Sequence, residues 1–372
     1  MRTVRNASFA SLFAAISFVF GLGSCSPQSF LSVMPGVFND PANRTLRREL
    51  LAFGTGSLCK ELMARSIPLK LGVDDPTLGR FFPRQCNVET LETTGDLYVQ
   101  FGGTGYGWTN LTKRVGFNAS AAVQYEQDFK LDGSTMYVYF KPAAVTAKKF
   151  EQVMVEGGAL PSGPVGSLLP GGSAQGFVNQ VGEGMLLFAL GQGFTVIRES
   201  DGEVTFSLGM VPVGERPLAP FDPDSGDREL VMNERIEIHQ NQRDYAGPIE
   251  IADAGSALYV SALVEGARDV DILIYPRAQG EIWAQQYLSA AAPAPAPIGA
   301  LHSETITDIT FGVPTVGPLV PREPYRRRIP LPKGSYYVVL DNTASAGNSA
   351  PTVTALDDRA ALVSLAIEVG SD

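Results

Sequence analysis

Histidine is scarce in this chain: 372 residues carry two, His239 and His302. That leaves little material for a serine–histidine triad or a histidine-built metal centre. No HExxH, GxSxG or paired metal-ligand spacing occurs, so no catalytic residue, metal or cofactor is expected. Positive charge is also short, with 29 Lys and Arg against 39 Asp and Glu and a formal net charge of -10. Such a balance excludes a general grip on nucleic acid or on anionic lipid. No basic run is longer than Arg326-Arg327-Arg328. On a strand, which the following Ile329-Pro330-Leu331 favours, these arginines alternate faces and read as a solvated edge. Cysteine is limited to three residues, and each of them can be given a role.

The first cysteine ends an ordered series. Arg2 and Arg5 precede an apolar stretch from Phe9 to Leu22, which is followed by Gly23, Ser24 and Cys25. The stretch is shorter than the roughly 20 residues needed to span a bilayer, and its order is that of a secretory signal. Leu22, Gly23, Ser24 and Cys25 resemble the lipobox of bacterial lipoproteins position by position. The resemblance implies that residues 1–24 are a signal peptide that is removed, and that the Cys25 thiol is acylated and becomes the new N-terminus. Ser26, in place of the aspartate that signals inner-membrane retention in enteric bacteria, implies the outer membrane. The plainer alternative is an ordinary cleaved leader with a chance cysteine. Residues 25–39 mix Ser, Pro, Gly and scattered apolar side chains without periodicity, as a lipidated tether would.

Cys59 and Cys86 are then an even pair in an exported chain, and oxidising compartments convert such pairs into disulfides. Closing that loop restricts the unfolded chain by up to about 3.5 kcal/mol on the chain-entropy account. A catalytic thiol would need a neighbouring base, and both histidines fall much later in the chain.

Residues 40–216 are expected to form a disulfide-stapled α+β domain. Asp40-Pro41 opens a helix, with Leu46, Leu50, Leu58 and Leu62 at helical spacing and an end before Pro68. From Gly95 the period changes to two. Leu97, Val99 and Phe101 alternate with polar neighbours, and Ala119 to Phe129 and Met136 to Phe140 flank an Asp132-Gly133 turn in an antiparallel sheet. The run Gly102-Gly103-Thr104-Gly105-Tyr106-Gly107-Trp108 lacks both the spacing and the following helix of a dinucleotide loop, and reads as strand glycines that admit a close backbone. Gly171 to Gly193, with Glu183 as its one charge, is a helix. Asn179, Gln180, Glu183 and Gln192 make it expensive as a membrane span. It either packs on the sheet or, with a curved sheet, encloses an apolar groove for lipid as in domains of the TULIP type. Phe194 to Glu199 and Val204 to Leu208 form a further hairpin around Ser200-Asp201-Gly202-Glu203.

Prolines and acids over 217–230 mark a linker. Asp222 and Asp224 suit a calcium loop, but Gly226 and Asn233 stand where further ligands belong. Residues 231–372 are expected to form a β-sandwich, with strands at Ile236 to His239, Ala257 to Val264, Val270 to Tyr275, Ile282 to Tyr287, Ser335 to Asp341 and Leu362 to Val369. His239 is taken as a surface side chain and His302 as a loop residue. Asp271-Ile272-Leu273-Ile274-Tyr275 and Leu331 to Val339 resemble two strands of bacterial pre-peptidase C-terminal and related jelly-roll domains. That resemblance implies an accessory role in binding carbohydrate or protein. The whole chain is therefore expected to be mainly β with some helix: an N-terminal α+β domain with an antiparallel sheet, then a C-terminal β-sandwich. The expected role is non-catalytic, a binding or structural component of the bacterial outer membrane or periplasm held by its lipid anchor, with an envelope protein or carbohydrate as partner. A carrier of lipid or another apolar ligand in a groove of the first domain is the alternative.

Overall fold

Side-chain alternation dictates strands over most of the chain, and the computed structural model is mainly β. It describes residues 36, 39–43 and 58–371, except 92, 111, 157–173, 199–203, 216–219, 222–227, 268, 292–294, 309–322, 348 and 350–359. Leu22, Gly23, Ser24, Cys25, Leu46, Leu50, the turn at 200–203, Asp222 and Asp224 lie outside the described residues. Among the described residues no helix is long and apolar enough to cross a membrane.

The first unit is a seven-stranded antiparallel meander in sequence order: β1 (Ile67–Leu69), β2 (Gly79–Thr90), β3 (Leu97–Thr109), β4 (Lys113–Asp132), β5 (Thr135–Val155), β6 (Phe194–Arg198) and β7 (Val204–Leu208). The pairing of β4 with β5 skips Ala143, Lys148 and Val153, giving three bulges five residues apart. Each bulge adds local twist, and together they coil the sheet. The coil brings Arg65, just ahead of β1, to Phe206 of β7, whose carbonyl accepts from Arg65 Nη1 at 3.3 Å.

Helix α1 (Ala174–Gly191) lies against β1, β4 and β5 and fills the concave side. Met185, Leu186 and Leu190 are buried with Phe81, Phe117, Phe140 and Phe194 in one core. The Phe117 and Phe150 rings stack at 4.7 Å, and those of Phe140 and Phe194 at 4.2 Å. Leu58 and Leu62 join this core from a helical turn over 58–63, which Cys59 staples to Cys86 of β2 with a Cα–Cα distance of 5.4 Å. The glycine run lies within β3. A Cβ on Gly103 would sit 2.2 Å from the Phe82 carbonyl oxygen, and one on Gly105 2.7 Å from that of Arg80, so the neighbouring β2 backbone occupies the space a side chain would need.

The second unit holds β8 (Glu229–Ile238), β9 (Gln242–Ile251), β10 (Ala257–Glu265), β11 (Asp269–Pro276), α2 (Arg277–Ser289), β12 (His302–Thr307), β13 (Tyr325–Pro330), β14 (Gly334–Asn342) and β15 (Ala361–Gly370). Its sheets run β13-β10-β15-β8 and β12-β11-β14-β9. This interleaving of eight antiparallel strands is the double Greek key of a jelly roll. Ile236, Ile272, Val338, Leu340, Val363 and Leu365 fill the space between the sheets.

Two expectations fail here. Ile282 to Tyr287 is not a strand but part of α2: its buried residues Gly280, Ala284, Tyr287 and Leu288 recur at helical spacing, while the β-forming types Ile282, Trp283 and Tyr287 give the segment its strand-like composition. His302 opens β12 rather than lying in a loop.

Candidate functional site

Chemistry-bearing side chains gather where the two units meet. Strands β11 and β14 are buried on both faces, because α2 and the first sheet cover the outer side of the jelly roll. A third core forms there. Phe82 and Tyr106 from the first sheet meet Tyr245, Leu273, Tyr275 and Tyr337 of the jelly roll, with Tyr287 and Leu288 of α2 between them. The Tyr106 and Tyr287 rings meet edge to face at 5.0 Å, the arrangement the aromatic quadrupole favours.

Polar and aromatic side chains cross this junction at three points. Arg80 of β2 has no exposed surface. Its Nε donates to Asp244 of β9 at 2.7 and 2.9 Å, and its Nη2 to Glu234 of β8 at 3.0 Å. Tyr106 Oη donates to Asp244 at 2.8 Å and accepts the Tyr245 N–H at 2.7 Å. Burial works to depress the Arg80 guanidinium, but the Asp244 and Glu234 carboxylates reverse that and hold it above its ordinary value. Burial, reinforced by Asp244, pushes the Tyr106 phenol well up. Thr77 completes this corner as a one-residue parallel bridge to β8, donating its N–H to the Arg235 carbonyl at 2.7 Å.

Arg114 of β4 forms the second point. Its Nε lies 3.2 Å from Glu156, its Nη2 donates to the Ala290 carbonyl at 2.7 Å, and its guanidinium stands 3.8 Å over the Tyr287 ring. Gln242 of β9 donates to Glu156 at 2.9 Å and accepts from Tyr287 Oη at 2.5 Å. Burial raises the Tyr287 phenol to about 12 against the opposing pull of Arg114. Behind these groups Arg243 pairs with Asp341 and donates to Ser345 at 2.7 Å and Thr343 at 3.1 Å, pinning the loop after β14.

At the third point, His239 is not on the surface as expected but buried, with its ring stacked on Trp108 at 3.2 Å and Nε2 2.7 Å from Glu237. The reason is the covering unit: β8 ends under β3, and a residue facing outward from the jelly roll faces inward here. Trp108, Arg114, Glu237, His239, Gln242 and Tyr287 line a cavity of about 20 Å³, the space of a single water molecule. The histidine and carboxylate are an acid–base pair by type, but the space beside them is far below the roughly 300 Å³ at which ligand pockets begin.

Of the residues singled out from sequence, Cys59 and Cys86 are brought together as a disulfide. His302 meets Glu304 at 3.3 Å on a jelly-roll edge, far in sequence from the junction residues of β2 to β4. Arg80, Arg114, Glu156, Glu234 and Asp244 went unrecognised. The available signal was a charge set inside an apolar run, as in Arg80-Phe81-Phe82, which marks either a solvated face or a buried pair without saying which. Among the described residues no group of three or more His, Cys, Asp or Glu side chains is placed to hold a metal ion. Compared with known proteins, the sequence matches no family model and no curated protein.

Proposed function

We propose that this protein is a lipid-anchored, non-catalytic binding or structural component of the bacterial outer membrane, tethered through acylated Cys25. Each buried methylene of the anchor contributes about 0.8 kcal/mol, so several acyl chains hold the protein without help from its acidic body. What supports the non-carrier reading, among the described residues, is the filling of two concave spaces. The inside of the coiled sheet is occupied by Met185, Leu186 and Leu190 of α1, and the junction leaves about 20 Å³. A carrier needs enclosed apolar room, and a scaffold needs a packed, rigid body.

The path of the chain adds a geometry. Asn39, the last residue of the tether, fastens to β4 in both directions: its Nδ2 donates to the Phe129 carbonyl at 3.0 Å, and the Phe129 N–H donates to its Oδ1 at 2.9 Å. The junction contacts the other end of β4, at Arg114 and Gly116. Thirteen residues of β4, about 43 Å of strand contour, lie between the two, but the coil brings Phe206, in the cross-strand row of Phe129, back to Arg65 beside the junction. Cys25 reaches Asn39 through at most about 50 Å of extended chain.

Native mass spectrometry with solvent extraction on residues 26–372, purified from the periplasm, tests the reading. An apo mass is expected. A stoichiometric co-purifying lipid would overturn it in favour of the carrier.

A further inference from the structure

Among the described residues, five large aliphatic side chains are more than half exposed, and three of them, Ile282 (56%), Ile298 (68%) and Leu301 (55%), gather on the jelly roll. Helix α2 brings them together. Its buried residues Gly280, Ala284, Tyr287 and Leu288 lie on the jelly roll, and Glu281 reaches Arg84 of β2 at 3.2 Å, so that flank faces the first sheet. With about 3.6 residues to a turn, Gln279 and Ile282 fall on the other flank. There Gln279 Nε2 donates to the Ile298 carbonyl at 2.7 Å, which fixes the segment after the proline run against the helix. Leu301 donates its N–H to the Ile274 carbonyl at 2.8 Å and so extends β12 beside the start of α2. Trp283 and Ala300, both partly buried, pack on the third core next to these residues.

Single apolar residues scattered over a surface need no explanation, whereas a contiguous group does. The acids around this group are already neutralised. Glu281 is shared by Arg277 at 2.9 Å and Arg84 at 3.2 Å, and Glu304 is held by Arg327 at 3.1 Å. On a chain with ten more acids than bases, this face can approach an anionic surface without repulsion.

We infer that Ile282, Ile298 and Leu301 dip into the lipid surface of the membrane that anchors the chain, and thereby set which face of the body lies on it. This orientation presupposes the membrane-anchored reading and adds to it. The acyl chains supply the attachment, and attachment keeps the patch near lipid at a high effective concentration, so a contact too weak to bind alone is populated. A tether of up to about 50 Å lets this face turn to the bilayer although Asn39 is fastened at β4. Lipid is favoured over a second copy on two grounds. Bodies of like negative charge repel, and the exposed members are aliphatic, whereas protein interfaces concentrate their energy in Trp, Tyr and Arg.

The test separates the patch from the natural anchor. With Cys59 and Cys86 joined, Cys25 is the one free thiol of residues 25–372. Coupling it to a maleimide lipid attaches the body to vesicles whether or not a cell acylates it. The vesicles are phosphatidylcholine with acyl chains brominated near the headgroup, which quench tryptophan on contact. Trp283, beside Ile282, is expected to lose emission relative to unbrominated vesicles, while Trp108, buried at the junction, keeps its own. W283F should therefore abolish the quenching. I282S/I298S should remove most of it and leave the thermal transition in place, because both side chains are exposed. No quenching of Trp283 in the coupled protein, or equal quenching in I282S/I298S, would overturn the inference. So would a dimer of the uncoupled body in analytical ultracentrifugation that I282S/I298S abolishes, which would assign the patch to a second copy. Failure of Cys25 acylation in the cell bears on the anchored reading and leaves the quenching result standing.

Discussion

Arg80 is a cation with no exposed surface whose countercharges, Asp244 and Glu234, come from the other unit. A buried pair is a weak contributor to stability while intact, but removing one partner strands the other in a low-dielectric site at about 3–5 kcal/mol. Arg80→Ala is therefore expected to lower the denaturation free energy by that amount, measured in urea, and Asp244→Ala by a similar amount. Arg80→Ala and Asp244→Ala combined should cost less than the sum; strict additivity would mean that the two groups do not act together. Gly116 makes the same point sterically. A Cβ there would lie 1.7 Å from the Leu288 carbonyl oxygen, a backbone atom that no rotamer change can move aside. Gly116→Ala should raise protease sensitivity at the junction, seen as cleavage between the units by limited trypsin digestion; an unchanged digestion pattern would contradict the close contact. Neither Arg80 nor Gly116 was legible in the sequence as a junction residue, since what each touches is set by a partner more than 150 residues away.

Strands with apolar alternation or an unbroken apolar run were legible, including doubly buried β11 and β14, and elements with a charged or faintly apolar dry face were not. Strand β10 alternates cleanly, and β3, β4 and β15 alternate over part of their length; they follow from their apolar pattern, as does the turn at Gly133, whose φ of +57° suits glycine. Strand β9 carries Gln242, Arg243 and Asp244 as buried residues, which breaks the alternation that would have revealed it. Helix α2 hides because its core face consists of Gly280 and Ala284 as much as Tyr287 and Leu288, so its apolar period is faint. Gly280 is required there: a Cβ would stand 2.6 Å from the Tyr337 ring. The turn over 58–63 is short, and a helix of that length is marginal on its own. Cys59–Cys86 closes a 27-residue separation around it. Reduction should lower stability by up to about 3.5 kcal/mol, read as a fall in Tm with dithiothreitol; free thiols in the exported protein, found by intact mass, would refute the bridge.

The shared aromatic core and the buried ion network make the two units one mechanical body, and that has a pH signature. Burial raises the phenols of Tyr106, Tyr245, Tyr275, Tyr287 and Tyr337, the last to about 12. Unfolded, these groups lose their protons near pH 10; folded, they keep them to higher pH. Above about pH 10 the native state therefore binds more protons than the unfolded one, and stability falls as pH rises. Absorbance titration at 295 nm should show these phenols ionising together with loss of structure, in one transition spanning both units. Smooth ionisation of every tyrosine near pH 10 with the fold retained would contradict the buried junction.

At the scale of the whole molecule, the central claim is that this rigid body hangs from a membrane by Cys25. Its most direct measurement is fatty-acid labelling and membrane fractionation of the full chain expressed in a bacterium, alongside Cys25→Ser. The native chain should incorporate label and sediment with outer membranes, and the variant should do neither. Equal labelling of both, or a native chain that is cleaved and released without acylation, would contradict the account.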